Sequence, residues 1–267
     1  MPGSVKTEAI VLRSLRYGEA DRILHLYTPR RGRVSAIAKG VRKARSRFGG
    51  RLEPFFHLEA VLHEGRSELL TVTSVTTVAA HARLRDHAAA LDVAARCCDA
   101  VGRLFATDDP HPGVFNLLAN ELSLLDADPA GAATARNAVA FRLKLLLAAG
   151  LAPQLSACAS CGEREHLVGF SGAAGGVVCP SCEAGSFALT QEAHDFMVGA
   201  LGRPLADTPH APPAAVAQAE RAVRETAEHH AHVRLGALSP RVASGRDDRG
   251  DRRERAGQGP GTGQVGL

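Results

Sequence analysis

Two short cysteine pairs constrain the fold of this chain more than any other feature of its sequence. Cys158-Ala-Ser-Cys161 and Cys179-Pro-Ser-Cys182 are separated by 17 residues. Each C-x-x-C turn presents two thiolates from one tight loop, and two such turns supply the four soft ligands that tetrahedral zinc prefers. Because four protein ligands leave no open coordination position, we predict one structural Zn²⁺ ion in a small ribbon at residues 155–188.

Two redox disulfides or an iron–sulfur cluster are alternative interpretations of these pairs. The start of the chain has no apolar segment of the kind found in secretory signals. We therefore predict a cytoplasmic protein whose thiols stay reduced, which favours metal over disulfides. Cys97 and Cys98 lie in an alanine-rich helical pattern and are interpreted as buried small apolar residues.

The first 78 residues have the pattern of a small β-barrel. Short apolar or β-branched runs, bounded by glycine and proline, predict strands at residues 5–17, 23–28, 34–38, 55–62 and 69–75. Pro29 ends the second strand because proline cannot donate a hydrogen bond to a ladder. Five short strands in this length are typical of an OB-fold barrel.

The apolar period becomes helical from residue 79. The spacing predicts helices over 79–105, 114–125, 132–149, 190–201 and 212–235. The predicted fold class is therefore α+β, with a five-stranded OB-fold barrel at 1–78 and a helical domain at 79–238 that contains the zinc ribbon. Residues 239–267 are rich in arginine, aspartate and glycine with little to bury, which predicts a disordered tail.

Positive charge is concentrated at the N-terminal end. Residues 1–80 contain 14 lysines and arginines against 7 acidic residues, whereas residues 81–267 contain 18 against 21. Residues 30–51 contain nine basic residues and no acid. Because protein surfaces normally intersperse both signs, this segment predicts a surface that binds polyanions.

The same segment contains the elements of a single-strand nucleic-acid site. Such sites combine a positive groove for phosphates with aromatic faces for bases. Phe48, together with Tyr17 or Tyr27, is a candidate for stacking with bases. Binding of this kind should tolerate many sequences and weaken steeply with salt.

Common catalytic and phosphate-binding motifs are absent from the sequence, and no apolar run is long enough to span a membrane. Asp108-Asp109 precedes Pro110 and is interpreted as a loop that ends a helix, although a metal-dependent nuclease is an alternative interpretation. His229, His230 and His232 are interpreted as a solvated helix face. We predict that the protein is not an enzyme.

Five segments of the barrel resemble those of the bacterial recombination mediator RecO family. They are Thr7-Glu-Ala-Ile-Val-Leu-Arg13, Tyr17-Gly-Glu-Ala-Asp-Arg22, Tyr27-Thr28, Ala38-Lys-Gly-Val-Arg42 and Ser46-Arg-Phe-Gly-Gly-Arg-Leu-Glu-Pro-Phe55. The resemblance extends over about residues 5–235 and is strongest in the first 75. The C-terminal part differs, because residues 233–241 lack the denser basic ending of the family.

The resemblance implies a non-enzymatic role in DNA repair and homologous recombination, on the nucleoid. It implies that the protein binds single-stranded DNA, anneals complementary strands, and acts with RecR to load RecA onto DNA coated by single-strand binding protein. It also implies a groove in the helical domain for the acidic C-terminal tail of single-strand binding protein. An RNA-binding module is the alternative function.

The predicted nucleic-acid-binding residues combine the basic positions that the resemblance implies with the aromatic candidate. They are Arg33, Lys39, Arg42, Lys43, Arg45, Arg47, Phe48 and Arg51.

Overall fold

Five strands close into a barrel at the N-terminal end of the computed structural model, which describes residues 3–43, 46–65, 67 and 69–238. Their order around the barrel is β1-β2-β3-β5-β4, and all neighbours are antiparallel except β3 and β5. The strands are β1 (Ser4–Tyr17), β2 (Asp21–Thr28), β3 (Gly32–Ala38), β4 (His57–His63) and β5 (Leu70–Ala79). The predicted five-stranded barrel is confirmed, and β5 is longer than predicted.

Strand β1 is shared between two cores. Ala9 and Val11 face the interior of the barrel. Ile10 and Leu12 point the other way and pack in the core of the helical domain, together with Tyr27 of β2. A strand buried on both faces has a continuous apolar run, which explains why residues 9–12 do not alternate.

The rest of the described chain is mainly helical. The helices are α1 (Ala82–Arg85), α2 (Ala88–Leu104), α3 (Pro112–Ala127), α4 (Pro129–Ala132), α5 (Ala135–Ala148), α6 (Gln191–Gly202) and α7 (Pro213–His230). None of these helices, which lie within 82–230, has the length and apolar composition needed to cross a membrane.

One predicted helix is divided in two, and another begins later than predicted. The helix predicted over 79–105 is interrupted at Asp86, and the His87 side chain caps α2 by accepting from the Ala90 N–H. The helix predicted over 132–149 begins only at Ala135, where the Thr134 hydroxyl accepts from the Asn137 N–H. In both places a capping side chain starts a new helix, which the apolar spacing alone does not reveal.

The cysteine segment forms a small three-stranded sheet, with order β7-β6-β8, between α5 and α6. Its strands are β6 (Gly169–Ser171), β7 (Gly176–Val178) and β8 (Phe187–Ala188). The sheet packs on α7, where His230 Nε2 lies 2.8 Å from the carbonyl oxygen of Gly172 and the Arg221 guanidinium lies 4.0 Å from the Phe187 ring centre. The predicted tail at 239–267 lies outside the described residues.

Candidate nucleic-acid interface and metal centre

The basic loop that joins β3 to β4 (residues 39–56) is anchored to the β1–β2 turn at its first half. The Gly40 N–H donates to Asp21 Oδ1 at 2.8 Å, and the Arg42 N–H donates to the carbonyl oxygen of Ala20 at 3.0 Å. These backbone contacts leave the side chains of Lys39, Arg42 and Lys43 exposed. Three of the predicted residues therefore share one surface beside the β1–β2 turn.

The second half of this loop folds back on the barrel through Phe48. The Phe48 ring is only 1% exposed and packs in the barrel core. The exposed Arg47 places its guanidinium 4.8 Å from the centre of this ring, and Arg51 Nε donates to the Phe48 carbonyl oxygen at 3.0 Å. Phe48 thus positions two arginines, and its buried ring does not support the predicted stacking with a base.

Arg33 joins the barrel to the helical domain. Its guanidinium donates to the Gly102 carbonyl oxygen on α2 at 3.0 Å, and its backbone N–H donates to the Thr107 carbonyl oxygen at 3.1 Å. Arg33 is half-buried at the junction with α2, whereas the described basic loop residues that are predicted to bind nucleic acid together with it are exposed. Arg45 lies outside the described residues.

The exposed cations of the loop lack acidic partners within the part of the chain that the structure describes. Arg22 pairs with Glu53 at 2.9 Å, and Arg31 pairs with Glu64. Those two arginines lie outside the loop. No ion pair with a described acid involves the described basic side chains of the loop itself, which are Lys39, Arg42, Lys43, Arg47 and Arg51. Their charge is available to a polyanion.

The outer face of β1, β2 and β3 adds residues that the sequence reasoning missed. Leu15 pairs with Ile23, which pairs with Ile37, and Leu15 is exposed. Tyr17, at the end of β1, is 53% exposed, whereas Tyr27 is buried. The alternation of Arg13, Leu15 and Tyr17 at every second position is the sequence signal for this face.

A positive potential extends over the same face. Arg13 is exposed on β1 and shares its side of the strand with Leu15 and Tyr17. Burial, followed by the charges of Arg33 and Arg13, lowers the pKa of His25, which pairs with Arg13 across the strands. We name the outer surface of β1–β3, together with the β1–β2 turn and residues 39–43, the barrel face.

The four cysteines of the ribbon converge on one point. Their Sγ atoms all lie within 4.8 Å of one another, and the Sγ atoms of Cys161 and Cys179 are 3.6 Å apart. In a tetrahedral site with Zn–S bonds of about 2.3 Å, the sulfurs are about 3.8 Å apart. The arrangement therefore fits a metal ion, and no two of these cysteines are joined in a disulfide.

Interactions within the ribbon shift the pKa values of its thiols in opposite directions. Backbone N–H groups, first that of Cys179, donate to Cys158 and lower the pKa of its thiol to about 6. The hydrogen bond with Cys161, followed by burial, raises the pKa of Cys182 to about 12. A divalent cation bound at this point would allow all four sulfurs to be thiolates together.

Comparison with protein families identifies both parts of this architecture. The model of the recombination protein O N-terminal region matches residues 1–81, and that of the recombination protein O C-terminal region matches residues 87–239. Together they cover the barrel and the helical domain with its ribbon. This chain belongs to the RecO family.

Two curated relatives match this chain along nearly their whole length. The DNA repair protein RecO of Anaeromyxobacter sp. (strain K) is 39% identical over 246 residues, which are 87% of this chain and 94% of that protein. The DNA repair protein RecO of Rubrobacter xylanophilus is 37% identical over 229 residues, 84% of this chain and 90% of that protein. Membership of the RecO family assigns the chain to DNA repair and recombination.

Proposed function

We propose that the barrel face binds single-stranded DNA and that the protein anneals complementary strands. The observation that carries this proposal is the position of exposed Tyr17 and Leu15 next to cations without described acidic partners. The outer face of strands 2 and 3 and the loop between strands 1 and 2 bind oligonucleotides in many OB folds. Bases contact Tyr17 and the apolar stripe, while the cations neutralise phosphates.

The annealing step requires no covalent chemistry. Two strands repel each other through their phosphates, and a surface that carries Lys39, Arg42 and Lys43 lowers this repulsion and raises the local strand concentration. Base pairing then completes the reaction. Among the described residues, the four cysteines are the only cluster suited to a metal, and they offer no open coordination position for catalysis.

The partners follow from the same function. RecR and single-strand binding protein, through its C-terminal tail, act with this chain to load RecA onto coated DNA in the cytoplasm. We assign the groove for the tail to the helical domain without naming its residues. The metal is one structural Zn²⁺ held by Cys158, Cys161, Cys179 and Cys182.

Charge reversal tests the proposed surface. Arg42→Glu and Lys43→Glu are compared with Arg224→Glu, an exposed arginine on α7 that gives the same change in net charge. We expect both loop variants, but not the α7 variant, to lower the affinity for labelled single-stranded DNA and the annealing rate. Annealing at the wild-type rate in both loop variants would show that the assigned surface is wrong.

Competition between nucleic acids tests the substrate. Single-stranded DNA, single-stranded RNA and duplex DNA compete for the full-length protein at one salt concentration. Preference for single-stranded DNA is expected, and clear preference for RNA would favour an RNA-binding function instead. Incubation with Mg²⁺ or Mn²⁺ in the same assay shows whether the DNA is cleaved, which this proposal excludes.

A further inference from the structure

A cleft of about 460 Å³ lies where the barrel meets α2. Leu12, Arg13 and His25 line it on the barrel side, and Ala95 and Arg103 line it on α2. Arg13 and His25 are paired across β1 and β2, directly next to the exposed pair of Leu15 and Ile23. The cleft is therefore continuous with the barrel face.

The walls of the cleft combine an apolar surface with positive charge. Leu12, Phe55 and Cys98 supply apolar atoms, and Arg13, Arg33 and Arg103 supply cations. Asp99 is the acidic residue in the lining, and its carboxylate accepts from Arg103 Nε at 2.7 Å. Burial, and after it the charges of Arg33 and Arg13, lower the pKa of His25 in this lining. A flat base linked to a phosphate matches this combination.

Contacts across the cleft hold its two walls in place. Arg33 spans from the barrel to the Gly102 carbonyl oxygen on α2. A Cβ atom placed on Gly102 would lie 3.7 Å from Leu12 Cδ1, so the helix and strand are already in close approach there. The volume falls within the range of about 300–1,000 Å³ that ligand pockets occupy.

We propose that this cleft binds one nucleotide unit of the strand that lies on the barrel face. The base packs against Leu12 and Phe55, and its phosphate is neutralised by Arg13. The inference rests on the proposed single-strand binding and extends it, because it makes α2 of the helical domain part of the DNA site. The DNA path then crosses the junction between the two parts of the chain.

A pair of matched variants on α2 tests the cleft. Ala95 is exposed and lines the cleft, whereas Ala89 is exposed on the same helix and does not line it. Ala95→Glu and Ala89→Glu change the net charge equally. We expect Ala95→Glu to bind single-stranded oligo(dT) about tenfold more weakly than Ala89→Glu, the scale of one lost base contact. Equal affinity in the two variants, with helical content intact by circular dichroism, would overturn the cleft assignment.

The ring signals of His25 in NMR spectra show whether the cleft binds a nucleotide within a DNA strand or a free nucleotide. Oligo(dT) is expected to shift these signals at concentrations where dTMP has no effect, and Ala95→Glu should abolish the shift. A response to dTMP at lower concentration than to oligo(dT) would make the cleft a free-nucleotide site and overturn the proposal.

Failure of this inference is separable from failure of the proposed function. If Arg42→Glu weakens DNA binding while Ala95→Glu matches Ala89→Glu, only the cleft is wrong. If the wild-type protein does not bind single-stranded DNA, the proposed function is wrong and the cleft proposal falls with it.

Discussion

His81 Nδ1 lies 2.7 Å from the carbonyl oxygen of Phe55, and both residues have left-handed backbone conformations. Phe55 is the penultimate residue of the basic loop, and His81 lies between β5 and α1. The hydrogen bond therefore joins the loop of the proposed DNA surface to the segment that leads into the helical domain. Because φ values of 73° and 46° are unfavourable for these residue types, the contact compensates for backbone strain at both ends.

Substitution of His81 should separate the hydrogen bond from the backbone strain. Asn tolerates the left-handed region and retains an N–H donor, whereas Ala has no donor. We expect His81→Ala to lower the free energy of unfolding by about 2–4 kcal/mol and His81→Asn by clearly less. Urea unfolding measures both, and equal losses would show that the hydrogen bond contributes little.

The same histidine should make stability depend on pH. Burial lowers the pKa of His81 below its ordinary value of 6.5, although the hydrogen bond to Phe55 opposes part of this change. Neutral His81 therefore contributes fully to the free energy of unfolding above pH 6.5, and this contribution is lost as the pH falls below that value. The difference in stability between wild type and His81→Asn is expected to change between pH 7.5 and pH 5.5, with wild type losing more.

Glu121 should produce the opposite pH dependence. This carboxyl on α3 is fully buried, its Oε2 has no hydrogen-bond partner among the described atoms, and burial raises its pKa to about 8. The folded state therefore holds a proton that the unfolded state releases above about pH 4.5, so stability falls as the pH rises through 8. Glu121→Gln, which stays neutral, should flatten the decline in melting temperature between pH 6 and pH 9. An unchanged slope would contradict the assignment.

Tyr17 and Arg42 should affect DNA binding in different ways. Tyr17→Ala removes a stacking surface and is expected to lower the affinity for single-stranded DNA by about 1–3 kcal/mol with little change in its salt dependence. Arg42→Gln removes a phosphate contact and should reduce the slope of log K against log salt by about 1. Leu147→Ala, at an exposed apolar residue of α5, is the control for a general effect of surface truncation. A change in slope for Tyr17→Ala would contradict the stacking role.

The loop at residues 107–109 packs directly against the barrel backbone at Gly32. Gly32 has a φ of 52°, and a Cβ atom there would lie 2.8 Å from the Thr107 carbonyl oxygen and also against that of Asp109. Gly18 has nearly the same φ, 53°, but open space around its Cβ position. We expect Gly18→Ala to cost about 1 kcal/mol of stability and Gly32→Ala about 2–4 kcal/mol. The difference between them, measured by chemical unfolding, isolates the steric contribution.

Loss of one ribbon cysteine should release the metal. Cys179→Ser removes one of the four thiolates, and we expect less than one zinc per chain by elemental analysis together with a lower melting temperature. Cys98→Ala, at a buried thiol on α2 outside the ribbon, is the control and should retain one zinc per chain. Wild-type protein that contains no zinc after expression in zinc-supplemented medium would refute the metal assignment.

The strands and most helices were predictable because their local patterns agree with their tertiary roles. The cysteine pairs identified the ribbon because two C-x-x-C turns have few other structural uses. Phe48 misled the sequence interpretation, since an aromatic residue among arginines resembles a base contact but here fills the barrel. The Leu15–Ile23–Ile37 stripe depends on strand register, and the division of α1 from α2 depends on the cap at His87. Neither can be read from composition or periodicity alone.

The division of β1 between two cores has a consequence for how this chain folds. Ile10, Leu12 and Tyr27 complete the helical core from the barrel side, so an isolated barrel would expose them to water and an isolated helical domain would have a gap in its place. Neither part is expected to form an independent cooperative unit. The full chain should unfold in a single transition, and a cut within residues 80–87 should yield two fragments that aggregate separately and recover native structure when refolded together.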